Sequence, residues 1–283
     1  MVRSARPLSG AANLASTPMH PVDQAQGLRQ MFAARVLRFI PVVANNRAAA
    51  AAGLVLERLC AAYAACGLHT LVVDASEQAR PPGELAEFDL AEGVERLSSQ
   101  VSFMAARGLP LSFADARGSC ETFLDALADA APQSDVVLVH ASASELARIF
   151  AQRSRHANLR PLVVTNDMAE GLTEAYAAVK VLSQRGGWMA YDLLMCAPRR
   201  STQADEVIAR LARCADEFLG VAQRSALRLD PFEPASLDPE ARFMDMAAGL
   251  LHCALAHTLS DSAFDHLISP GAALPARQSP VLN

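Results

Sequence analysis

Between about Arg35 and Leu259 the chain alternates short β-branched apolar runs with longer Ala/Leu-rich stretches of helical period, and no other feature limits its fold as strongly. The spacing predicts strand 36–43, helix 48–66 and strand 69–74, which ends in an acid, as a first β-α-β unit. The theme continues with strands at 101–105, 135–140, 161–165, 191–196 and 218–223. Helices are expected at 120–130, 144–152, 170–184, 204–216 and 239–259. Strands this apolar are buried on both faces, so the expected architecture is α/β: a three-layer, doubly wound, mostly parallel sheet with helices on each side.

Residues 1–20 mix Ser, Pro, Ala and Gly without periodicity and read as a disordered leader. A short helix over 21–34 follows, entered through Pro21 with Asp23 as N-cap and Gln26 three residues on as capping-box partner. The main domain is expected over 35–260, and the Pro- and Gly-bearing residues 261–283 read as a flexible tail. Arg3 and Arg6 lack an apolar segment behind them, and no later stretch offers the roughly 18 uncharged apolar residues that cross a bilayer. The expected location is therefore cytoplasmic.

The chain has 283 residues, 52% of them hydrophobic and 19% charged, which is enough to bury a real core. A net charge of -5 argues against the basic surface that nucleic-acid binding needs. The cysteines, Cys60, Cys66, Cys120, Cys196, Cys214 and Cys253, show no C-x-x-C pair and no His at ligand spacing, so reduced thiols and no metal site are expected. Lys180 is the only lysine, every other basic side chain being arginine.

Two stretches carry a family likeness. Asp23-Gln24-Ala25-Gln26-Gly27-Leu28-Arg29 matches a D-Q-A-x-x-L-R motif, and Leu172-Thr173-Glu174-Ala175-Tyr176-Ala177-Ala178-Val179-Lys180-Val181-Leu182 resembles an I-T-D-A-Y-A-L-I-K-V-L helix. Phe218-Leu219-Gly220 looks like an F-L-G strand start. Together they resemble the FlhG (FleN) flagellar-number regulators of the MinD/ParA-like P-loop class, from about Asp23 to Leu259. That resemblance implies a MinD-like domain preceded by a helix that docks on FlhF, a signal-recognition-particle-type GTPase, and activates it.

The departures from the family are concentrated in its nucleotide site. Members open with a G-K-G-G-V-G-K-T loop, whose glycines let backbone N–H groups wrap the phosphates and whose lysines neutralise them. An ungapped reading from Val43 to Asp74 sets Asn46-Arg47-Ala48-Ala49-Ala50-Ala51-Ala52-Gly53 on that loop. Arg47 then stands on the signature lysine, Ala52 on the P-loop lysine and Gly53 on the Mg²⁺-binding threonine. The family's D-A-D becomes Asp74-Ala75-Ser76, and its I-D-T-G-A-G becomes Val139-His140-Ala141-Ser142-Ala143-Ser144. A neutral imidazole at His140 cannot hold Mg²⁺ through water as a carboxylate does. With these elements lost together, the expectation is a pseudo-ATPase that uses neither ATP nor Mg²⁺ and has no catalytic residue of its own.

On the N-terminal helix, Gln24, Leu28 and Met31 share one face, so Leu28 would anchor Gln24 against the partner's nucleotide site, with Arg29 flanking. Asp23, Gln24, Ala25, Leu28 and Arg29 are the candidate partner-binding residues. Gln and Arg are the side chains GTPase activation recruits, for water positioning and charge stabilisation. The plainer reading is a helix that caps its own domain. His140, Ser142 and Ser144 read as an inert remnant without a G-x-S-x-G elbow or a placed acid, Asp74 as a structural acid, and Lys180 as solvated or paired. The last helix is expected to pack in the core, its weakly basic flanks giving at most weak or indirect membrane contact. The resulting functional expectation is a non-catalytic regulator of flagellar number and placement, recruited to the cell pole or flagellar base through partners. The alternatives are a weak MinD-type ATPase working through Arg47 and Asp74, or a MinD-like scaffold for other flagellar proteins.

Overall fold

The computed structural model describes residues 35–87, 89–150, 153, 158–233 and 240–258, apart from the side chains of 47, 49 and 50. The leader, the helix at 21–34 with its partner-binding residues, and the tail at 261–283 lie outside the described residues.

The strands are β1 (Val36–Val43), β2 (Thr70–Asp74), β3 (Glu95–Arg96), β4 (Val101–Ala105), β5 (Val136–Ala141), β6 (Leu162–Asn166), β7 (Ala190–Cys196), β8 (Ala222–Leu229) and β9 (Leu255–Thr258). They form one sheet in the order β3-β4-β2-β5-β1-β6-β7-β8, with β9 added beside β1. Only β3 and β9 pair antiparallel. The chain leaves β1 towards β2 but leaves β5 in the opposite direction towards β6, so the switch point lies at the carboxyl ends of β1 and β5, where open parallel sheets hold ligands.

Helices α1 (Ala49–Ala65), α2 (Thr122–Ala130), α3 (Ala143–Ile149), α4 (Ala169–Val181), α5 (Ala204–Leu219) and α6 (Ala241–His252) cover the sheet. Residues of α2 to α5 pack on one face with Phe39, Val73, Val139 and Leu193. On the other face, among the described residues, α1 and α6 pack over Ile40, Val72, Leu138 and Leu194. The three-layer, mostly parallel architecture expected from the alternation is present. In α1, Ala52, Val55, Leu56, Leu59, Cys60 and Tyr63 form one buried stripe at helical spacing. Each fully buried Leu or Val there contributes about 1.5–3 kcal/mol. The Tyr63 hydroxyl donates to the Ala247 carbonyl at 3.1 Å and ties α1 to α6.

The ends of the chain's regular region differ from expectation. The helix at 239–259 stops at His252, and Leu255–Thr258 turns back as β9. The cause is an edge that would otherwise be left open: β6 reaches β1 only at Val42 and Val43, so Val36 to Phe39 lack a neighbour on that side until β9 pairs with them. The strand at 218–223 is also displaced. Phe218 and Leu219 belong to α5, which ends at Gly220 in the left-handed conformation (φ 65°), and the strand runs over 222–229. Glycine fits that C-cap because it carries no Cβ. Phe218 is 72% exposed, so the F-L-G likeness falls on a helix end and not on a strand. Helix 170–184 ends in a π turn at Leu182–Gly186, and the helix expected from Ser144 runs over Ala143–Ile149 among the described residues.

Candidate functional site

The connection from β1 to α1 decides what the sheet's ligand edge can hold. It is a single 3₁₀ turn, Asn46–Ala48, feeding straight into the alanine-rich helix. Alanine favours that continuation, being the best helix former. The N–H of Ala44 donates to the Ala141 carbonyl at 2.8 Å, and that of Ala48 to the Asn45 carbonyl at 3.1 Å. The N–H of Asn46 donates to Oε1 of Glu174 at 2.8 Å. Three N–H groups between β1 and α1 are thus already used. Asn45 is buried and donates through Nδ2 to the Val164 carbonyl at 2.7 Å, while Gln78 donates to Oδ1 of Asn46 at 2.6 Å. These contacts hold the turn to β6 and to the loop after β2.

Glu174 reaches the turn because α4 sits close on the end of β6. Gly171 in the first turn of α4 lies so near Asn166 that a Cβ would fall 2.1 Å from its Oδ1. Thr165 donates to the Gly171 carbonyl at 2.9 Å. The carboxylate accepts from the Asn46 N–H in the turn that leads into α1, a charge-assisted contact near the positive end of the helix dipole. Sequence reasoning treated Glu174 only as part of a family-like stretch. The residue it touches is 128 positions away.

Asp74 closes β2, and His140 lies beside it in β5, because the parallel register pairs these two residues. Nδ1 of His140 is 2.9 Å from Oδ1 of Asp74. The Ser76 N–H donates to the same oxygen at 3.1 Å. Burial would raise the Asp74 carboxyl, but the hydrogen bond and positive charge of His140 and the bonding from Ser76 outweigh it, and the group sits below the usual carboxylate range. An ionised carboxylate only accepts, so Nδ1 of the ring is the donor. His140 is 5% exposed, and its Nε2 is buried with no hydrogen-bond partner among the described residues.

Both members of this pair line a cavity of about 530 Å³ between α1 and the β2–β4 edge of the sheet. Leu56, Cys60, Val72 and Phe103 form its walls. Asn45, Ser76 and Gln78 join the pair at the turn end, and the β3–β4 hairpin closes the other end with Leu97 and Gln100. No lysine or arginine is among its described lining residues.

The sequence-predicted site residues come together only in part. Asp74, Ser76 and His140 meet at the sheet edge, with Arg47 in the adjoining turn. Ala52 is buried within α1 and Gly53 is exposed on it, without a left-handed φ. The acid missing from the sequence reading of His140 is Asp74, 66 positions earlier and one strand over. Ser142 is the N-cap of α3 in a capping box with Glu145, so it serves the helix start. Lys180 is exposed near the end of α4. All six cysteines are free. Among the described residues no group of side chains could hold a metal ion, and no helix is long and apolar enough to cross a membrane.

No protein-family model matches the chain, and no curated protein resembles it in sequence. Solved structures do resemble it. Cobyrinic acid a,c-diamide synthase from Mycobacterium smegmatis with bound ADP and magnesium is 17% identical, covers 76% of this chain and 94% of its own, and superposes with a TM-score of 0.51. A plasmid partition protein from Borrelia burgdorferi is 7% identical over 77% of this chain and 97% of its own, with a TM-score of 0.44. The MinD cell division protein of Aquifex aeolicus is 13% identical over 76% and 96%, also with a TM-score of 0.44. The first of these shares the chain's three-layer, mostly parallel α/β fold.

Proposed function

We propose that the chain is a non-catalytic regulator of the FlhG type, which acts by presenting its D-Q-A-x-x-L-R segment to an FlhF-type GTPase and so sets flagellar number and placement. The observation that best supports a pseudo-ATPase is the Asn46–Glu174 hydrogen bond of 2.8 Å. It puts a carboxylate on the N–H of Asn46, in the turn that leads into α1, and like charge there disfavours a phosphate. The turn offers neither a glycine with positive φ nor a lysine. His140 stands where a Mg²⁺-supporting acid would be, and its partner Asp74 is engaged. These residues do not fit a nucleoside triphosphate with Mg²⁺, and no hydrolytic step is derived from them.

On this reading the family-like stretch left to act is residues 23–29, whose Gln24 and Arg29 are the types that assist GTP hydrolysis in trans. Recruitment to the cell pole or flagellar base would then come through the partner. The test is a GTPase titration of FlhF with the full chain and with a chain lacking residues 1–34, beside a thermal melt of the full chain in ATP and Mg²⁺. Stimulation by the full chain alone, with an unmoved melt, is expected. A ligand present at 100 times its dissociation constant would stabilise the fold by about 2.7 kcal/mol, so a clear upshift with ATP ends the pseudo-ATPase reading.

A further inference from the structure

We propose that the open edge of β8 is a self-association surface, on which a second copy of this chain lays its own β8 antiparallel so that the two sheets become one. The surface is independent of whether the N-terminal segment engages a GTPase.

The two edges of the sheet are built differently. One ends in β3, two charged residues long, which leaves an incoming strand little to pair with. The other ends in β8, eight residues long, with β7 as its strand neighbour. The Leu229 carbonyl accepts from the Ala197 N–H on the β7 side at 3.0 Å. Alternation along the strand therefore turns the N–H and C=O groups of Ala226 and Arg228 outward, and they have no partner there among the described residues. A groove of about 760 Å³ lies against this edge, lined by Ala226, Leu227 and Arg228 together with Ile208 of α5 and Met246 of α6. An incoming strand has room there and a row of backbone donors and acceptors to bond.

Charge selects the occupant and its register. In an antiparallel pair, residues whose backbone groups face the partner lie opposite one another and exchange two hydrogen bonds. Bringing Ala226 and Arg228 onto the same residues of a second copy leaves registers centred on Ala226, Leu227 or Arg228. The first sets Arg224 against Arg228 of the second copy, and the last sets Arg228 against its own counterpart. Like charges directly opposite are destabilising. The register centred on Leu227 instead sets Leu227 against its counterpart, Ala226 against Arg228 and Arg224 against Asp230, the last two pairings each occurring twice by symmetry. Arg224 is exposed at the bulge between β7 and β8 and makes no ion pair among the described residues. Asp230, just beyond β8, is held ionised by N–H bonds from Arg199 and Phe232, which keep its carboxyl below the usual range. The guanidinium of Arg228 is already bound by the carbonyls of Pro198, Arg199 and Ser201, and the short Ala226 opposite leaves those bonds intact. Arginines and a bulge ordinarily guard an edge, and here they exclude the wrong registers while admitting one.

Sedimentation equilibrium of the full chain without nucleotide tests this. At high micromolar concentration the mass should be twice the 30.1 kDa of one chain. Arg224→Glu sets like charges opposite Asp230 and should weaken self-association about tenfold or more, and adding Asp230→Lys should restore most of the loss by exchanging the two charges. Ala226→Pro removes one outward N–H from each copy, leaves the bonds to β7 in place and should weaken association about tenfold. Circular dichroism confirms that each variant is folded. Should Ala226→Pro fail to fold, Arg224→Glu carries the test, because that side chain is exposed and unpaired among the described residues. A single-chain mass at every concentration, an Arg224→Glu chain that associates as well as wild type, a folded double variant without recovery, or a folded Ala226→Pro chain with unchanged association would each overturn the proposal.

Discussion

Oδ1 of Asp74, the last residue of β2, lies 2.9 Å from Nδ1 of His140 in β5, and the parallel register of the two strands sets them side by side. The bond lies at the carboxyl end of the parallel strands. It helps to hold the Asp74 carboxyl ionised. Its folded value lies below its unfolded value of about 3.9. A depressed carboxylate stabilises the fold above the unfolded value, and that stabilisation is lost as pH falls through the folded one. Asp74→Asn should therefore cost about 1.5–3 kcal/mol near neutral pH, the range for hydrogen bonds to charged groups, and progressively less below about pH 4. Urea unfolding of both chains between neutral and acidic pH checks this. An equal gap across the whole range refutes it.

The buried ion pair beneath α6 should respond differently. Asp192 is 1% exposed, lies 3.1 Å from Nε of Arg160, and accepts from the Ser225 hydroxyl at 2.6 Å. Asp192→Leu alone should cost about 3–5 kcal/mol because it leaves Arg160 without its charge partner. Adding Arg160→Met should recover much of that loss, since replacing both ions by apolar groups is often near neutral. Chemical denaturation of the single and double variants gives the coupling, and additive losses would show that the pair is not coupled.

Thiol labelling should follow burial. Cys66 is exposed, whereas burial pushes the Cys60 and Cys196 thiols up to about 12. The thiolate is the reactive form, so iodoacetamide on the native chain should modify Cys66 first and leave Cys60 and Cys196 untouched. Peptide mass mapping after brief labelling reads the order. Early modification of Cys60 would mean that α1 opens in solution.

Removing the carboxylate from the β1–α1 turn should loosen it without creating a nucleotide site. Glu174→Ala takes away the acceptor of the Asn46 N–H, and a cost of about 0.5–1 kcal/mol is expected for this exposed hydrogen bond. ATP with Mg²⁺ should still not raise the melting temperature, because no lysine or positive-φ glycine appears in the turn. If the variant gains a strong ATP-dependent shift, Glu174 alone was excluding the nucleotide.

For the proposed partner, two substitutions in the full chain should separate anchoring from chemistry. Leu28→Ala should raise the concentration needed for half-maximal stimulation of the GTPase while leaving the saturating rate nearly intact. Gln24→Ala should lower the saturating rate, as removal of a contact made only in the transition state does. A GTPase titration distinguishes the two, and identical behaviour of both variants would mean that Gln24 serves only in docking.

Hydrophobic alternation by itself determined the fold class. Val36–Val43 and Val101–Ala105 lie where the apolar runs place them, because a strand covered on both faces is apolar along most of its length. Edges and ends escaped the pattern. The edge strand Ala222–Leu229 mixes Arg, Gln and Ser with apolar residues, since one side of it meets solvent. Leu255–Thr258 reads as more helix, and only the open side of β1 makes it a strand. The loss of glycines and lysines around Arg47 and Ala52 was visible in the residues themselves, as local chemistry is. Tertiary structure alone decided what replaced them. Glu174 meets Asn46 because Gly171 lets α4 close on β6, and Asp74 meets His140 because two strands distant in sequence share a register. Such pairings arise from the packing of whole elements, and a local pattern carries no information about which element will lie beside it.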